Sequence, residues 1–208
     1  MPSTVTIRPM TPADVPEAVA MQKLAFPPPF NEDYHWDPEH LLGHIALFPE
    51  GQFVAAAEGR VVGTCSNTII PEASWQERAG WYRTVGGPDL RNFTRSGTTL
   101  YGLDITVHPE FRRQGVGRGF YEARYAFIRS AGLRRYGTGC RIPDYRAYLA
   151  DHPGVSVEEY AEEVANGKAT DRTLTPLLRY GLRFLGVIRN YMPDFESNDA
   201  GALLEWTP

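Results

Sequence analysis

The segment from Asp104 to Gly119 limits what this chain can fold into more than any other stretch of it. An apolar, β-branched run ends at His108-Pro109-Glu110, and Arg112-Arg113-Gln114-Gly115-Val116-Gly117 follows at once. After that, Val116, Phe120, Ala123 and Phe127 recur at steps of four, three and four, which lays one apolar stripe along a helix. The predicted unit is therefore strand, tight turn, glycine-rich loop, helix. The first backbone N–H groups of a helix have no intrahelical partner, and its dipole puts partial positive charge there, so such a unit suits an anion. Gly115 and Gly117 let a phosphate approach the backbone, while Arg112, Arg113 and Arg118 add charge and directional donors. Two common phosphate loops fit poorly. No Lys-Ser or Lys-Thr follows these glycines, and Gly115-x-Gly117-x-Gly119 misses the dinucleotide spacing by one.

Elsewhere the pattern mixes strands and helices. Val5 and Ile7 predict a first strand, and Thr11-Pro12-Ala13-Asp14 opens a helix that stops before Pro27-Pro28-Pro29. A second helix is predicted over residues 37–47, then a hairpin of strands 52–57 and 61–69 turning at Glu58-Gly59-Arg60. Residues 71–97 show no period and are expected to be an irregular excursion. Strand 98–107 leads into the loop, the long helix ends at Ala131-Gly132, and strand 135–142 stops at Pro143. Residues 144–170 are expected to be an insertion, with a capping box at Ser156 opening a short helix. A helix over 171–180, with Gly181 beyond it, and strands 182–191 and 200–206 complete the chain.

The 208 residues suit one domain over 1–208. A net charge of -4 without a basic stripe argues against a nucleic-acid partner. Cys65 and Cys140, the only cysteines, are too few for a disulfide scaffold or a structural zinc site, so free buried thiols and no metal are expected. Met1–Pro9 lacks a signal-peptide pattern, and no apolar run approaches the roughly 18 residues of a membrane span. A cytoplasmic protein without a membrane partner is expected.

Arg112, Gly115 and Gly117 fill the pattern Arg-x-x-Gly-x-Gly directly after a strand, and this resembles the pyrophosphate loop of the GNAT N-acetyltransferases. The order of elements resembles the GNAT course along nearly the whole chain. Tyr101-Gly102-Leu103-Asp104-Ile105, Gly139 to Tyr145, Glu159-Tyr160, Gly167, Asn190-Tyr191 and the ending from Glu196 to Trp206 are similar to the GNAT module fused ahead of carbon-nitrogen hydrolase domains. The resemblance implies an α+β fold, a central mixed sheet with splayed strands flanked by helices. It also implies an acyl-CoA-dependent N-acyltransferase using acetyl-CoA or another acyl-CoA as cosubstrate. The pantetheine arm would run along the backbone of Ile105, Thr106 and Val107, with the pyrophosphate on Arg113, Gln114, Gly115, Val116, Gly117 and Arg118. A small-molecule or peptide amine would be the acceptor, and pairing into homodimers is usual for the architecture.

The resemblance also exposes a departure. The usual base position is held by Tyr101, a poor base with an ordinary pKa near 10. Asp104 is chemically better, but strand alternation sends it to the other face from Tyr101, Leu103 and Ile105; His108 reads as a surface turn residue. The position of the usual tyrosine acid holds Leu177, leaving Tyr180 or Tyr191 to substitute. Asp104, Tyr101 and Tyr191 are thus the catalytic candidates, and an acyl-CoA-binding sensor that turns over weakly is the alternative. For the acceptor mouth, Phe26, Phe30, Tyr34, Trp36, Trp75, Trp81 and Tyr145 supply aromatic rings, and Glu32, Asp33 and Asp37 supply charge that attracts a cation.

Overall fold

A computed structural model describes residues 5–208; of the signal-peptide reading over Met1–Pro9, residues 1–4 lie outside the described residues. Among the described residues no helix is long and apolar enough to cross a membrane.

One seven-stranded sheet organises the chain. Its strands are β1 (Thr6–Pro9), β2 (Phe53–Ala57), β3 (Arg60–Ile70), β4 (Thr99–Val107), β5 (Arg135–Arg141), β6 (Arg183–Ile188) and β7 (Gly201–Trp206), in spatial order β1-β2-β3-β4-β5-β7-β6. Every neighbouring pair is antiparallel except β4 and β5. Helices α1 (Val15–Ala25) and α2 (Pro38–Leu47) precede β2, α5 (Val116–Ala131) joins β4 to β5, and the sheet is mixed and open as the splayed α+β reading expects. Helices cover both faces. On one, Met10, Val15, Ala18 and Met21 of the α1 region pack with Trp36, Leu41 and Val54. On the other, Val116 and Phe120 of α5 meet Ala55, Ala57 and Cys65. Both cysteines are free and buried.

Three stretches differ from the sequence expectation. The excursion over 71–97 contains two helices, α3 (Glu72–Gln76) and α4 (Trp81–Val85). The 144–170 stretch likewise holds two, α6 (Tyr145–Asp151) and α7 (Val157–Ala165); the capping box at Ser156 does open α7, its hydroxyl accepting from Glu159 N while Glu159 Oε2 accepts from Ser156 N. The helix expected over 171–180 is shorter, α8 (Leu174–Arg179). Asp171 Oδ1 accepts from the N–H groups of Thr173 and Leu174, so the aspartate stands before the helix as an acceptor and not inside it.

A break in β-alternation shapes the centre. Ser66 pairs with Asp104 and Asn67 with Gly102, which leaves Leu103 without a partner as a bulge in β4. An extra residue shifts the side-chain phase. Alternation would put Leu103 and Asp104 on opposite faces, yet both line one cleft, which corrects the sequence reading.

A fork in the sheet as the candidate active site

β4 and β5 pair through Thr99↔Arg135, Leu100↔Tyr136 and Tyr101↔Gly137, and their registered pairing ends there. Both strands continue, to Val107 and Arg141, so they part as a fork. A cleft of about 520 Å³ occupies the opening. Leu103, Asp104 and Ile105 line it from β4, and Thr138, Gly139 and Cys140 from β5.

Side-chain hydroxyls replace the lost rungs. Thr138 Oγ1 donates to Gly102 O at 3.1 Å, and Gly139 N donates to Tyr101 Oη at 3.1 Å. Tyr191 Oη donates to Gly139 O at 3.0 Å and lies 3.0 Å from Tyr101 Oη. With the Tyr191 proton committed to a carbonyl, the Tyr101 proton goes to Tyr191. Burial pushes the Tyr101 phenol up to about 12 and the Tyr191 phenol well above its ordinary value. These two candidates are therefore together at the fork, with every hydroxyl proton already engaged. We expect Tyr191→Phe to remove one donor from Gly139 O, which Thr138 Oγ1 also reaches at 3.1 Å, costing about 0.5–1.5 kcal/mol, at about 2–4 °C of melting temperature per kcal/mol. Tyr101→Phe should act through the same network, so the double variant should lose less than the sum of the two. Strict additivity in a calorimetric cycle would contradict a shared network.

Asp104 is different. Neither carboxylate oxygen has a hydrogen-bond partner among the described residues, although both are shielded from solvent. Burial raises its pKa, opposed by the nearby Trp36 side chain, by the Arg124 charge and by Ser66, none of them in hydrogen-bonding geometry with the carboxylate. A carboxylate whose pKa is raised by burial is a stronger base than an ordinary one.

At the open end of β4 lies the glycine loop. Gly115, at φ 86°, is the N-cap of α5, and Arg113 also has positive φ, 61°. The backbone N–H groups of residues 113–118 donate to no acceptor among the described residues; the first to do so is Gly119 N, to Gly115 O at 2.9 Å. A Cβ on Gly115 would meet nothing within 4 Å, so the space over the loop is open. Arg112 is otherwise engaged: its guanidinium donates to Val107 O and Ala25 O, each at 3.3 Å, tying the loop to the end of α1. Of the three pantetheine candidates, Ile105 lines the cleft, and Thr106 is buried with Oγ1 2.5 Å from Thr64 Oγ1. His108 stays in the surface turn, its Nδ1 accepting from Glu110 N. Tyr180 sits by the loop, where a Cβ on Gly117 would come within 3.0 Å of its hydroxyl.

The acceptor mouth is partly as expected. Phe26, Phe30, Tyr34, Trp36 and Trp81 line the cleft, joined by Tyr82. Trp75 and Tyr145 do not; both are core residues, Trp75 lying under Gly137. Of the three acids, Asp33 alone reaches the lining. Leu177 also lines it, so its side chain is part of the wall. Sequence reasoning passed over Tyr121, Arg124, Tyr136 and Thr138, all of which face the cleft. One signal was available: Arg124 falls four residues after Phe120, on the apolar stripe of α5.

Comparison with known proteins agrees with this fold. A family model described as "Acetyltransferase (GNAT) family" matches residues 16–148. The chain is 33% identical over 202 residues to the "Uncharacterized N-acetyltransferase YkwB" of Bacillus subtilis (strain 168), covering 97% of this chain and 88% of that one. It is 32% identical over 203 residues to the "Probable hydrolase YhcX" of the same organism, covering 97% of this chain but 38% of that protein. Among solved structures, the "GphF GNAT-like decarboxylase in complex with isobutyryl-CoA" matches with TM-score 0.77 and 23% identity, over 97% of this chain and 98% of that one.

Proposed function

The chain belongs to the GNAT acetyltransferase family, whose general chemistry is acyl-CoA-dependent N-acylation, and from this we propose that it transfers a short acyl group from acyl-CoA to a primary amine. The observation that carries the reading is the fork between β4 and β5, which opens toward the N–H groups of residues 113–118, unpaired among the described residues. In this reading those N–H groups hold the CoA pyrophosphate, Arg113 and Arg118 add charge, and the pantetheine lies along Ile105, Thr106 and Val107. The thioester then comes to rest beside Leu103 and Asp104, in a domain spanning residues 1–208.

The acceptor amine attacks the thioester carbonyl. Its nitrogen gains a bond to carbon and must shed a proton, which the Asp104 carboxylate accepts. Collapse of the adduct breaks the carbon–sulfur bond. A thiol has an ordinary pKa of about 8.5, so the thiolate departs without an obligatory acid and is protonated afterwards. This accommodates Leu177 at the place of the usual tyrosine and the committed protons of Tyr101 and Tyr191. Those same committed hydroxyls favour a second reading, an acyl-CoA-binding module with weak turnover.

Calorimetric titration with acetyl-CoA, with NADH and ATP as controls, tests the first half of the proposal. Selective binding at micromolar strength, about -8 kcal/mol, is expected; no binding by folded protein removes both readings. A panel of amines, followed by thiol release, then separates them. Release that depends on an amine supports the transferase, and binding without release supports the module.

A further inference from the structure

Where the fork closes, the cleft wall carries a charge that feels the nearby Asp104 but that no described carboxylate meets in a direct ion pair. Arg124, on α5, is 1% exposed and lines the cleft. Its Nε donates to Asn67 Oδ1 at 2.6 Å, and its Nη2 to the carbonyls of Ser66 and Asp104 at 3.4 and 3.2 Å. All three acceptors are uncharged. The guanidinium stands over the rings of Tyr121 and Tyr136, 5.0 and 4.9 Å from their centroids. No ion pair with a described carboxylate is formed, whereas the other two arginines of the cleft are paired: Arg141 with Asp194 and Glu196, Arg172 with Asp144 and Glu196.

The hydrogen bonds have a structural reason. Ser66 and Asp104 flank the bulge, where the β3–β4 ladder is interrupted, and Nη2 answers their carbonyls. A neutral donor would do the same, so the bulge does not explain a full buried charge, which is costly without a counter-ion. Nη1 makes no hydrogen bond among the described residues. Tyr136 and Arg124 pack directly on Gly102 of β4: a Cβ there would lie 1.9 Å from Tyr136 Oη and 3.1 Å from Arg124 Nη2. Asp104 does not supply the missing anion by direct pairing. It pairs in register with Ser66, whereas Arg124 reaches Asn67, the next residue, whose side chain alternates to the other face.

We propose that the acyl group taken by this cleft ends in a carboxylate, which Arg124 binds, so that the preferred donor is the CoA thioester of a dicarboxylic acid. The inference rests on the acyl-CoA reading above and specifies its donor. A thioester lying along β4 has its acyl end toward Gly102 and Thr138, the place where Arg124 and the Tyr136 hydroxyl meet the cleft. An acetyl methyl would leave that polar wall unanswered; a carboxylate accepts from it, and the guanidinium fork suits bidentate pairing.

Stable CoA thioethers make the test. Wild-type protein is titrated calorimetrically with S-butyl-CoA and with S-(3-carboxypropyl)-CoA, which differ by the terminal carboxylate. We expect the carboxylated ligand to bind at least about tenfold more tightly, as a charge-assisted hydrogen bond to a buried partner requires. Arg124→Gln should erase the difference and Arg124→Lys retain part of it. Should Arg124→Gln fail to fold, the matched pair on wild-type protein still decides. Equal or weaker binding of the carboxylated ligand, with S-butyl-CoA bound, overturns the inference and leaves the acyl-CoA reading standing. Binding of neither ligand overturns both.

Discussion

Gly115→Glu is expected to weaken acetyl-CoA binding at least about a hundredfold, close to 3 kcal/mol, while the protein stays folded. The new carboxylate would project into the open space above the loop, where the N–H groups of residues 113–118 find no acceptor among the described residues. Two effects oppose the ligand together: the carboxylate occupies the anion position, and it repels a pyrophosphate. The fold should tolerate the change because nothing lies within 4 Å of the added Cβ. The cost is backbone strain, since φ at this residue is 86°, and a non-glycine side chain there loses about 1–2 kcal/mol. Gly115→Ala carries that strain without the charge and serves as the control. Its melting temperature should fall as far as that of the glutamate variant, and its affinity should fall much less. Equal loss of affinity in the two variants would assign the effect to loop geometry and sink the anion argument.

Asp104→Asn should lower kcat by about a hundredfold to a thousandfold, the usual worth of a positioned proton acceptor, with little change in the KM for acyl-CoA. It should also change stability in the opposite direction. Burial raises the Asp104 pKa in the folded protein, so the folded state favours the protonated carboxyl. The contribution of this group is fully present below the unfolded pKa and is lost as pH rises through the raised folded value. Asparagine removes that loss, and the variant should melt higher than wild type at neutral pH, the gap closing in acid. The activity profile gives an independent check. Wild-type kcat/KM should rise with pH along a limb centred above the ordinary carboxylate range, and that limb should be absent from the variant. A variant that keeps wild-type kcat would exclude Asp104 as the acceptor of the proton.

The parts of this architecture visible beforehand are those governed by repeating or punctuating residues. The loop and α5 were legible because Gly115, Gly117 and Gly132 mark their ends and Phe120, Ala123 and Phe127 keep a helical period between them. The hairpin at Glu58-Gly59 was legible for the same reason, both residues having positive φ. The two helices of the 71–97 stretch, α3 and α4, have five residues each, too few to repeat an apolar pattern, and they read as irregular chain. The bulge at Leu103 left no trace in residue type, yet one extra residue changed which face Asp104 serves. Arg124 escaped because long charged side chains are seldom fully buried, and only its place on an apolar stripe set it apart. Tyr101 and Tyr191 were noticed as phenols, while their actual use depends on a separation in sequence of 90 residues that only folding brings to 3.0 Å.

The same fork has a mechanical side. Eight registered pairs join β3 to β4 and six join β5 to β7, but three join β4 to β5. The sheet is thus two stiff plates, β1 to β4 and β5 to β6, sewn along a short seam by three rungs and a few hydroxyls, with α5 as the covalent strap between them. A ligand laid in the open part of that seam touches both plates at once and acts as mortar. The seam is where such a protein yields first when empty, and its amides are the ones whose hydrogen exchange a bound acyl-CoA slows most.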